Sequence, residues 1–334
     1  MLPLSQLRFE SLSSALKAAG ETTRLRILAL LGEAELTVSD LTAILRQSQP
    51  RISRHLRLMV QAGLVNRFRE GSWAFFRLGE RGGTAELARE LIARLDPADM
   101  TLARDRERLG AVRAQRAAAA QNYFRGHAAE WDRIRNLHVA EESVEEAIVA
   151  ALVGAPMRTL LDLGTGTGRM LELFGPHIER GLGLDLSLDM LAFARARLDR
   201  LGLRNCSVRH GDIYDLGLPR DSFDVVLIHQ VLHFLDDGAR AIVEAARVLR
   251  PAGRLLVVDF APHDLEFLRD EHAHRRLGFA GETVTQWMQA AGLELALHQS
   301  LAPAADCAGR IAVSLWLGRD QRIAIAQDAR REVA

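Results

Sequence analysis

The stretch Leu160-Leu161-Asp162-Leu163-Gly164-Thr165-Gly166-Thr167-Gly168-Arg169 decides the fold of the larger part of this chain. It begins in an apolar run typical of a buried strand and continues into a helical pattern over 170–174. Glycines at alternate positions let the backbone turn tightly and approach a ligand where a Cβ would clash. The following helix offers free N–H groups in its first turn. Alone, such a loop is weak evidence, because any tight strand-to-helix turn can use glycine.

Short apolar strands alternate with amphipathic helices from Arg158 onward. This alternation predicts a mostly parallel sheet with crossover helices, which is a Rossmann-like α/β fold. The last two strands have no good helix between them, and this predicts an antiparallel hairpin at the sheet edge. The predicted strands are 159–163, 181–185, 207–210, 223–229, 253–260, 294–299 and 311–317.

Polar residues follow the predicted strands, at the edge where open α/β sheets bind ligands. Asp185 ends the second strand, 17 residues after Gly168, where it can accept hydrogen bonds from both hydroxyls of a ribose. It also fits as an acid at a helix N-terminus. Asp212 follows the third strand and can accept from an adenine amino group, and His229 ends the fourth strand. We therefore expect a nucleoside site at this edge.

The spacing Asp-x-Gly-x-Gly-x-Gly differs from the Gly-x-Gly-x-x-Gly of dinucleotide folds. Together with the run 248–256, it resembles the class I methyltransferases that depend on S-adenosylmethionine (SAM), over residues 158–300. The resemblance implies that SAM, or its product S-adenosylhomocysteine (SAH), is the cofactor. The implied contacts are Asp162, Gly164, Thr165, Gly166 and Gly168 for the methionyl part, Asp185 for the ribose, Asp212 with Ile213 for the adenine, and Leu186, Met190, Gly211 and His229 around them.

Methyl transfer from a sulfonium needs alignment and a dry site, and a base helps when the acceptor is protonated. His229, His233, Asp259 and His263 follow predicted strands and are candidates for this role. The segment 229–233 resembles the part of small-molecule and quinone-type methyltransferases that lines the cofactor and acceptor pocket. His229 and His233 are therefore the candidate catalytic residues, although either also fits as a structural histidine.

No metal site is expected in the polar insert over 261–280. His272 and His274 are two residues apart, so they do not share a helix face. A solvated lid helix over the active site fits this segment better. Tyr123, Phe124, His127 and Trp131 either cap the acceptor from the other side or pack in the ordinary way.

A different pattern occupies the first 95 residues, where helices, a turn and a hairpin follow one another in the order of a winged helix–turn–helix. Thr37 and Asp40 form a capping-box-like start for the third helix, and Ser48 with Pro50 starts the fourth, which stops at Gly63. The predicted elements are helices over 8–20, 22–31, 37–45, 48–62 and 84–95, and β segments over 64–69 and 73–78.

The fourth helix carries polar side chains suited to DNA, since Arg and Gln can read base edges and Ser and Arg can contact phosphates. Residues 10–95 resemble the ArsR/SmtB winged-helix repressors, most closely over 35–41, 49–65 and 67–78. That resemblance implies a homodimer on a double-stranded DNA operator; the alternative is a winged helix used only for dimer or protein contacts. The expected DNA-contacting residues are Gln49, Arg51, Ser53, Arg54 and His55, which the helical pattern turns outward, and Arg67 and Arg69 in the wing.

The cysteines argue against several functions. Arsenic sensors of that family carry cysteines within the segment matching 35–41, where this chain has Thr37 and Ser39. Arsenite sensing there and arsenic methylation are therefore not expected, because both need soft thiolate ligands. The two cysteines, Cys206 and Cys307, are far apart, which fits a reducing cytoplasm and argues against a disulfide scaffold or zinc ribbon.

Length and charge predict two domains with different partners. Residues 1–95 hold 14 Lys and Arg against 9 Asp and Glu, a net charge of +5, and the other residues therefore carry −5, since the 334-residue chain sums to zero. Only a positive N-terminal domain would attract a polyanion, although a difference of this size also arises by chance. We find neither a secretion signal nor about 18 consecutive uncharged apolar residues, so no membrane association is expected.

The predicted boundaries are 1–97 for the winged helix–turn–helix, 98–153 for a helical linker and cap, 154–319 for the SAM-binding domain and 320–334 for a C-terminal tail. Residues 98–120 are interpreted as a long solvated helix, either a plain linker or a dimer arm. The preferred function is a DNA-binding regulator that senses SAM or SAH. The alternatives are an active small-molecule methyltransferase with a DNA-binding appendage, and a non-enzymatic binder that uses the same fold.

Overall fold

The computed structural model describes residues 6–70, 73–79, 82–127, 141–302 and 311–322, and for residues 70, 116–127 and 141 it describes the backbone only. The chain divides into two compact units, Met1–Ala119 and Ala120–Ala334. Each unit is described by itself below. Among the helices in the described ranges, none is long and apolar enough to cross a membrane.

The first unit is a bundle of helices with a small antiparallel sheet. Its three strands lie in the order β1-β3-β2, and β2 and β3 pair as a hairpin from Val65↔Leu78 to Glu70↔Trp73. The elements are α1 (Phe9–Ala19), α2 (Thr22–Glu33), β1 (Leu36–Thr37), α3 (Val38–Leu45), α4 (Gln49–Gln61), β2 (Val65–Glu70), β3 (Trp73–Leu78), α5 (Gly83–Ala93) and the part of α6 (Met100–His127) up to Ala119.

Local sequence signals set the ends of these helices. The Thr37 hydroxyl accepts the N–H of Asp40, and the Asp40 carboxylate accepts the N–H of Thr37, at 3.2 and 2.9 Å, so the predicted capping box starts α3. Gly63, at φ +71°, follows α4 in a left-handed conformation that glycine adopts without strain. Ser48 stands at the N-cap of α4, but its side chain makes no capping hydrogen bond there, contrary to expectation.

The first half of α6 packs on this unit. Asp105, 1% exposed, accepts two hydrogen bonds from the guanidinium of Arg26 on α2, at 2.6 and 2.7 Å. Leu102 and Leu109 are buried beside it. The interpretation of residues 98–120 as solvated is therefore wrong for this face of the helix. For the same reason the compact unit continues to Ala119, beyond the boundary predicted at residue 97.

The second unit is a seven-stranded sheet with helices on both faces. The strand order is β6-β5-β4-β7-β8-β10-β9, in which the first five strands are parallel and β10 runs antiparallel to both of its neighbours. The elements are α7 (Glu141–Leu152), β4 (Thr159–Leu163), α8 (Arg169–Phe174), β5 (Arg180–Asp185), α9 (Leu188–Leu201), β6 (Cys206–His210), β7 (Phe223–His229), α10 (Gly238–Arg247), β8 (Leu249–Phe260), α11 (Phe267–His272), α12 (Gly281–Ala290), β9 (Leu293–Leu301) and β10 (Val313–Asp320).

Each face of this sheet has its own hydrophobic core. Leu161, Leu163 and Val226 point to one face, where α10 and α12 pack, and Leu160, Val225 and Leu227 point to the other, where α7 and α8 pack. Alternate side chains of one strand therefore enter different cores, which is why β4 and β7 are apolar along their length. The mostly parallel Rossmann-like architecture and the antiparallel final hairpin are confirmed.

Candidate functional site

The glycine-rich loop lies at the carboxyl end of β4 and is tied to the neighbouring strand. The N–H groups of Gly164 and Thr165 both donate to the carbonyl of Leu184 on β5, at 2.8 and 2.9 Å. Gly164 has φ +71°, and a Cβ on it would overlap the side chain of Val231, which follows β7. Both observations demand glycine at this position. The loop after β4 and the segment after β7 are thus in direct contact.

Asp162, near the end of β4, fixes the conformation of the glycine-rich loop through a hydrogen bond. Its carboxylate is buried and accepts the hydroxyl hydrogen of Thr165 at 2.6 Å. Thr165 in turn occupies the space above Gly183, where a Cβ would lie 2.7 Å from the threonine Oγ1. Asp162 therefore holds the loop residue that covers β5. The need for glycine at 183 was not predicted, because the Thr165–Gly183 contact joins the loop after β4 to β5 and has no local signal in the sequence.

Asp185, at the end of β5, faces the loop. Its Oδ2 accepts the N–H of Gly166 and its Oδ1 accepts the N–H of Ser187, both at 2.8 Å. Burial raises the pKa of the Asp185 carboxyl above its ordinary value, and the N–H groups of Ser187 and Gly166 oppose that shift. Each carboxylate oxygen can accept one more hydrogen bond. The side chain is therefore held in place and keeps capacity for two donors.

The residues expected around an adenine lie next to this carboxylate, with different exposure. The N–H of Gly211 donates to the main-chain carbonyl of Asp185 at 3.1 Å. Asp212 is exposed, and its Oδ1 accepts the N–H of Tyr214 at 2.9 Å. The remaining predicted residues are apolar: Leu186 is half-buried, and Ile213 and Met190 are buried.

The two candidate catalytic histidines follow one another at the end of β7. His229 is its last residue and is buried. The Nδ1 of His233, in the short 3-10 turn Leu232–Phe234, lies 2.8 Å from Oδ1 of Asp259 on β8. His233 and Asp259 are 2% and 0% exposed. Asp259 Oδ1 also accepts the N–H of Phe260 at 2.8 Å. Both residues were predicted from the sequence as candidate bases, but their pairing was not predicted.

The insert after β8 adds two histidines beside this pair. The ring of His274 lies 4.2 Å from that of His233 and stacks on Phe260, with centroids 5.7 Å apart and planes inclined by 12°. The ring of His263 is edge-on to Phe260 at 6.1 Å. Burial, followed by the charge of His233, lowers the pKa of His263 to about 4. We call His233, Asp259, His263 and His274 the histidine cluster.

The insert is not the solvated lid that the sequence suggested. Arg269, His274 and Arg276 are buried, and the N–H groups of Arg275 and Arg276 donate to the carbonyl of His233 at 2.9 and 3.1 Å. The segment therefore packs directly on the turn that carries His233. Across the described part of the chain, no group of three or more His, Cys, Asp or Glu side chains is arranged to hold a metal ion.

Five of the seven expected DNA-contacting residues are exposed. Gln49, Arg51 and Arg54 on α4 are exposed, Ser53 is half-buried, and Arg67 and Arg69 are exposed on β2. Arg57, which the sequence analysis did not include, is exposed on α4 as well. Its spacing of three residues from Arg54 is the signal that would have found it.

His55 does not point outward. Its side chain is 12% exposed, and its Nδ1 lies 3.7 Å from Oε2 of Glu21, at the N-cap of α2. Burial lowers the pKa of His55, and Glu21 opposes the shift. His55 lies beside the buried stripe of Ile52, Leu56 and Met59 on the helical wheel, so the prediction that its side chain turns outward is wrong.

The wing, which is the hairpin of β2 and β3, carries aromatic side chains on the face opposite to Arg67 and Arg69. Phe68 and Phe75 stack across the hairpin with centroids 5.6 Å apart, and the guanidinium of Arg77 lies 4.8 Å from the centre of the Phe68 ring. The predicted cap residues lie outside the description: Trp131 is not among the described residues, nor are the side chains of Tyr123, Phe124 and His127.

Both halves match known families over the segments just described. Residues 161–257 match the family model of a methyltransferase domain, and residues 21–67 match that of the bacterial regulatory proteins of the arsR family. The chain joins an ArsR-type helix–turn–helix to a methyltransferase domain. The methyltransferase match begins in β4, just before the glycine loop, and ends within β8, just before Asp259.

Several curated relatives are named as methyltransferases. YcgJ, an uncharacterized methyltransferase of Bacillus subtilis, is 34% identical over 106 residues, 31% of this chain and 42% of that protein. A probable S-adenosylmethionine-dependent methyltransferase of Mycolicibacterium smegmatis is 35% identical over 143 residues, 41% of this chain and 52% of that protein. An arsenite methyltransferase of Aquipseudomonas alcaligenes is 35% identical over 128 residues, 35% of this chain and 34% of that protein. The chain spans about half the length of these relatives or less.

The crystal structure of the Bacillus subtilis YcgJ protein is also similar to this chain. It aligns with a TM-score of 0.46 and 20% identity, over 55% of this chain and all of that one.

Proposed function

We propose that the protein is a DNA-binding transcriptional regulator whose methyltransferase domain binds SAM or SAH and adjusts DNA affinity to the level of that nucleoside. The observation that carries the proposal is the bond from Gly166 N–H to Asp185 Oδ2. This hydrogen bond holds the Asp185 carboxylate against the glycine loop. The carboxylate oxygens can still accept hydrogen bonds, as the two hydroxyls of a ribose require. The residues present therefore fit the cofactor.

DNA binding is supported by α4 and the wing. Gln49, Arg51, Arg54 and Arg57 are exposed on the helix that follows the turn, and Arg67 and Arg69 are exposed on the hairpin. Arginine and glutamine make bidentate contacts with base edges, and the wing arginines suit phosphates. These side chains are the proposed operator contacts. A bacterial operator lies in the cytoplasm, so the proposal places the protein there.

A homodimer is part of the proposal, because α1 exposes an apolar stripe. Phe9, Leu12 and Leu16 are 86%, 36% and 46% exposed and lie three and four residues apart, on one side of the helix. A stripe of this kind is suited to a second copy of the same helix. Two copies would present two recognition helices to two half-sites, as winged-helix dimers do.

The experiment that tests the regulator measures DNA affinity in three conditions: no ligand, SAM and SAH. The probe is a duplex enriched by the full chain from a random pool, and calorimetry gives the nucleoside affinities with that duplex present and absent. A ligand changes DNA affinity only if it prefers one of two conformations, and the coupling must be equal in both directions. Equal DNA affinity in all three conditions would rule out the regulator.

A second function, methyl transfer to a small molecule, is favoured by one specific observation. His233 is hydrogen-bonded through Nδ1 to the buried carboxylate of Asp259, and it lies two residues after Val231, which contacts the glycine loop. An oriented imidazole is the usual general base of enzymes. SAM would supply the activated methyl group, and the chain would supply alignment and the base. Transfer of label from methyl-labelled SAM to an acceptor panel tests this function.

A further inference from the structure

The proton of His233 is fixed by its partner. A carboxylate only accepts hydrogen bonds, so the neutral ring of His233 must carry its proton on Nδ1, which faces Asp259 at 2.8 Å. Nε2 is then the acceptor. The carboxylate cannot turn away easily, because Oδ1 also accepts the N–H of Phe260 and Oδ2 lies 3.4 Å from the N–H of His233. Nε2 of His233 is thus prepared to take a proton.

His263 carries its proton on the other ring nitrogen, Nε2. Its Nδ1 accepts the N–H of Leu265 at 3.3 Å, so the neutral ring carries its proton on Nε2. With its pKa lowered to about 4, the ring is neutral near pH 7. Within the described residues, this Nε2 is buried and has no hydrogen-bond partner. A buried donor without a partner is costly, so a ligand oxygen that accepts from it would be stabilised.

The two ring nitrogens narrow the ligand class further. Arg269 and Arg276 are buried in the same insert but have partners of their own: Glu266 lies 3.4 Å from the Arg269 guanidinium, and the Arg276 guanidinium lies 5.6 Å from the centre of the Phe279 ring. An atom that accepts from the Nε2–H of His263 and gives a proton to Nε2 of His233 is a hydroxyl oxygen. An imidazole base is matched to a weakly acidic hydroxyl.

We infer that the histidine cluster is the acceptor site for a weakly acidic hydroxyl compound, a phenol or enol, with His233 as base and His263 as hydrogen-bond donor. The inference rests on the proposed methyl transfer. The acceptor oxygen gives its proton to Nε2 of His233 and bonds to the methyl carbon as the carbon–sulfur bond breaks. The electron pair of that bond stays on sulfur, which becomes a neutral thioether, and the positive charge moves to the imidazolium. Asp259 stabilises the imidazolium and is a positioning residue.

The test uses 4-nitrophenol, because its anion absorbs visible light and reports proton loss without turnover. The full chain is titrated with this phenol at several pH values, with and without SAH. We expect the bound phenol to ionise about one pH unit lower than in free solution, a roughly tenfold increase in the ratio of anion to neutral form. A phenol that does not bind, or that binds with unchanged ionisation, overturns the inference.

Substitutions test which residues cause the shift in phenol ionisation. His233→Gln keeps a donor to Asp259 but removes the base, so the ionisation shift is expected to disappear. His177→Gln, at an exposed histidine outside the cluster, is the matched control and is expected to leave the shift intact. His263→Phe removes the donor and is expected to weaken binding of the anion. A shift that survives His233→Gln contradicts the assignment.

Asp259→Asn tests the positioning residue. An amide N–H₂ facing Nδ1 reverses the proton arrangement of His233, so the shift is expected to vanish and methyl transfer to fall by about 10²–10⁴-fold. Should this buried variant fail to fold, His233→Gln still decides the question. SAH calorimetry separates the two proposals: absent SAH binding refutes the proposed function, whereas SAH binding without phenol ionisation refutes this inference alone.

Discussion

The sheet edge at which we propose nucleoside binding and the helix α4 at which we propose DNA binding are built in different ways. At the sheet edge, the important features are backbone conformation and carboxylates held by hydrogen bonds: Gly164 at φ +71°, Asp162 bonded to the Thr165 hydroxyl, and Asp185 bonded to two N–H groups. On α4 they are exposed side chains, such as Arg51 and Arg54, on a helix whose other face is packed in the core.

This difference determines what a substitution can change. We expect a changed residue at the sheet edge to alter the loop of the proposed ligand site, so binding and stability are affected together. We expect a changed arginine on α4 to alter the proposed DNA contacts and leave the core untouched. We order the expected effects of substitutions in these two regions from the largest to the smallest. Each measurement either supports this difference between the regions or contradicts it.

Asp185→Asn is expected to have the largest effect, on nucleoside affinity. It removes charge-assisted acceptors for two hydroxyl donors, which costs about 2–4 kcal/mol, or roughly 30- to 1000-fold in Kd for SAH. Calorimetry with SAH measures it. Asp199→Asn, at an exposed position of α9, is the control and is expected to bind SAH as the unaltered chain does. Normal affinity in Asp185→Asn would remove the basis of the nucleoside site.

Gly164→Ala is expected to reduce both stability and SAH binding. The new Cβ would overlap Val231 and impose a left-handed conformation on alanine, at a cost of about 1–3 kcal/mol in the free energy of unfolding. Urea unfolding measures the change. Gly154→Ala is the matched control, because nothing lies within 4 Å of its added Cβ. The double variant with Val231→Ala should recover part of the loss, and equal losses in single and double variants would refute the overlap.

Arg54→Ala is expected to weaken DNA binding without changing stability. Loss of a base-edge contact costs about 1–3 kcal/mol and relaxes specificity at one position, whereas loss of a phosphate contact reduces the salt dependence. Fluorescence anisotropy with an enriched duplex distinguishes these outcomes. His55→Gln serves as the comparison, since that ring lies against Glu21, and it should bind the duplex nearly as tightly as the unaltered chain.

A further expected effect, outside the two compared regions, is on stability as a function of pH. His263 has its pKa lowered to about 4 in the folded chain, below the ordinary value of 6.5, by burial and by His233. The unfolded chain therefore binds the extra proton first as the pH falls, so the free energy of unfolding decreases from about pH 6.5 down to about pH 4. His263→Gln should flatten this part of the profile. An unchanged slope in that variant would show that other groups cause it.

The sequence predicted local features better than long-range ones. The capping box of Thr37 and Asp40 and the alternating strands and helices are confirmed because each depends on neighbours in the chain. Arg26 and Asp105 are 79 residues apart, and His233 and Asp259 are 26 apart, so neither pairing has a local signal. His55 is different, because its place beside Ile52, Leu56 and Met59 was visible in the helical period.

The position of β10 has a consequence for how the chain is made. The strand β10 (Val313–Asp320) lies in the interior of the sheet, between β8 and β9, and pairs with β8 over seven residues. Until those residues leave the ribosome, the nascent chain exposes the open edge of β8, an apolar strand able to pair with foreign strands. Synthesis must therefore run through residue 320 before the sheet closes, and a truncated product should be an aggregating one.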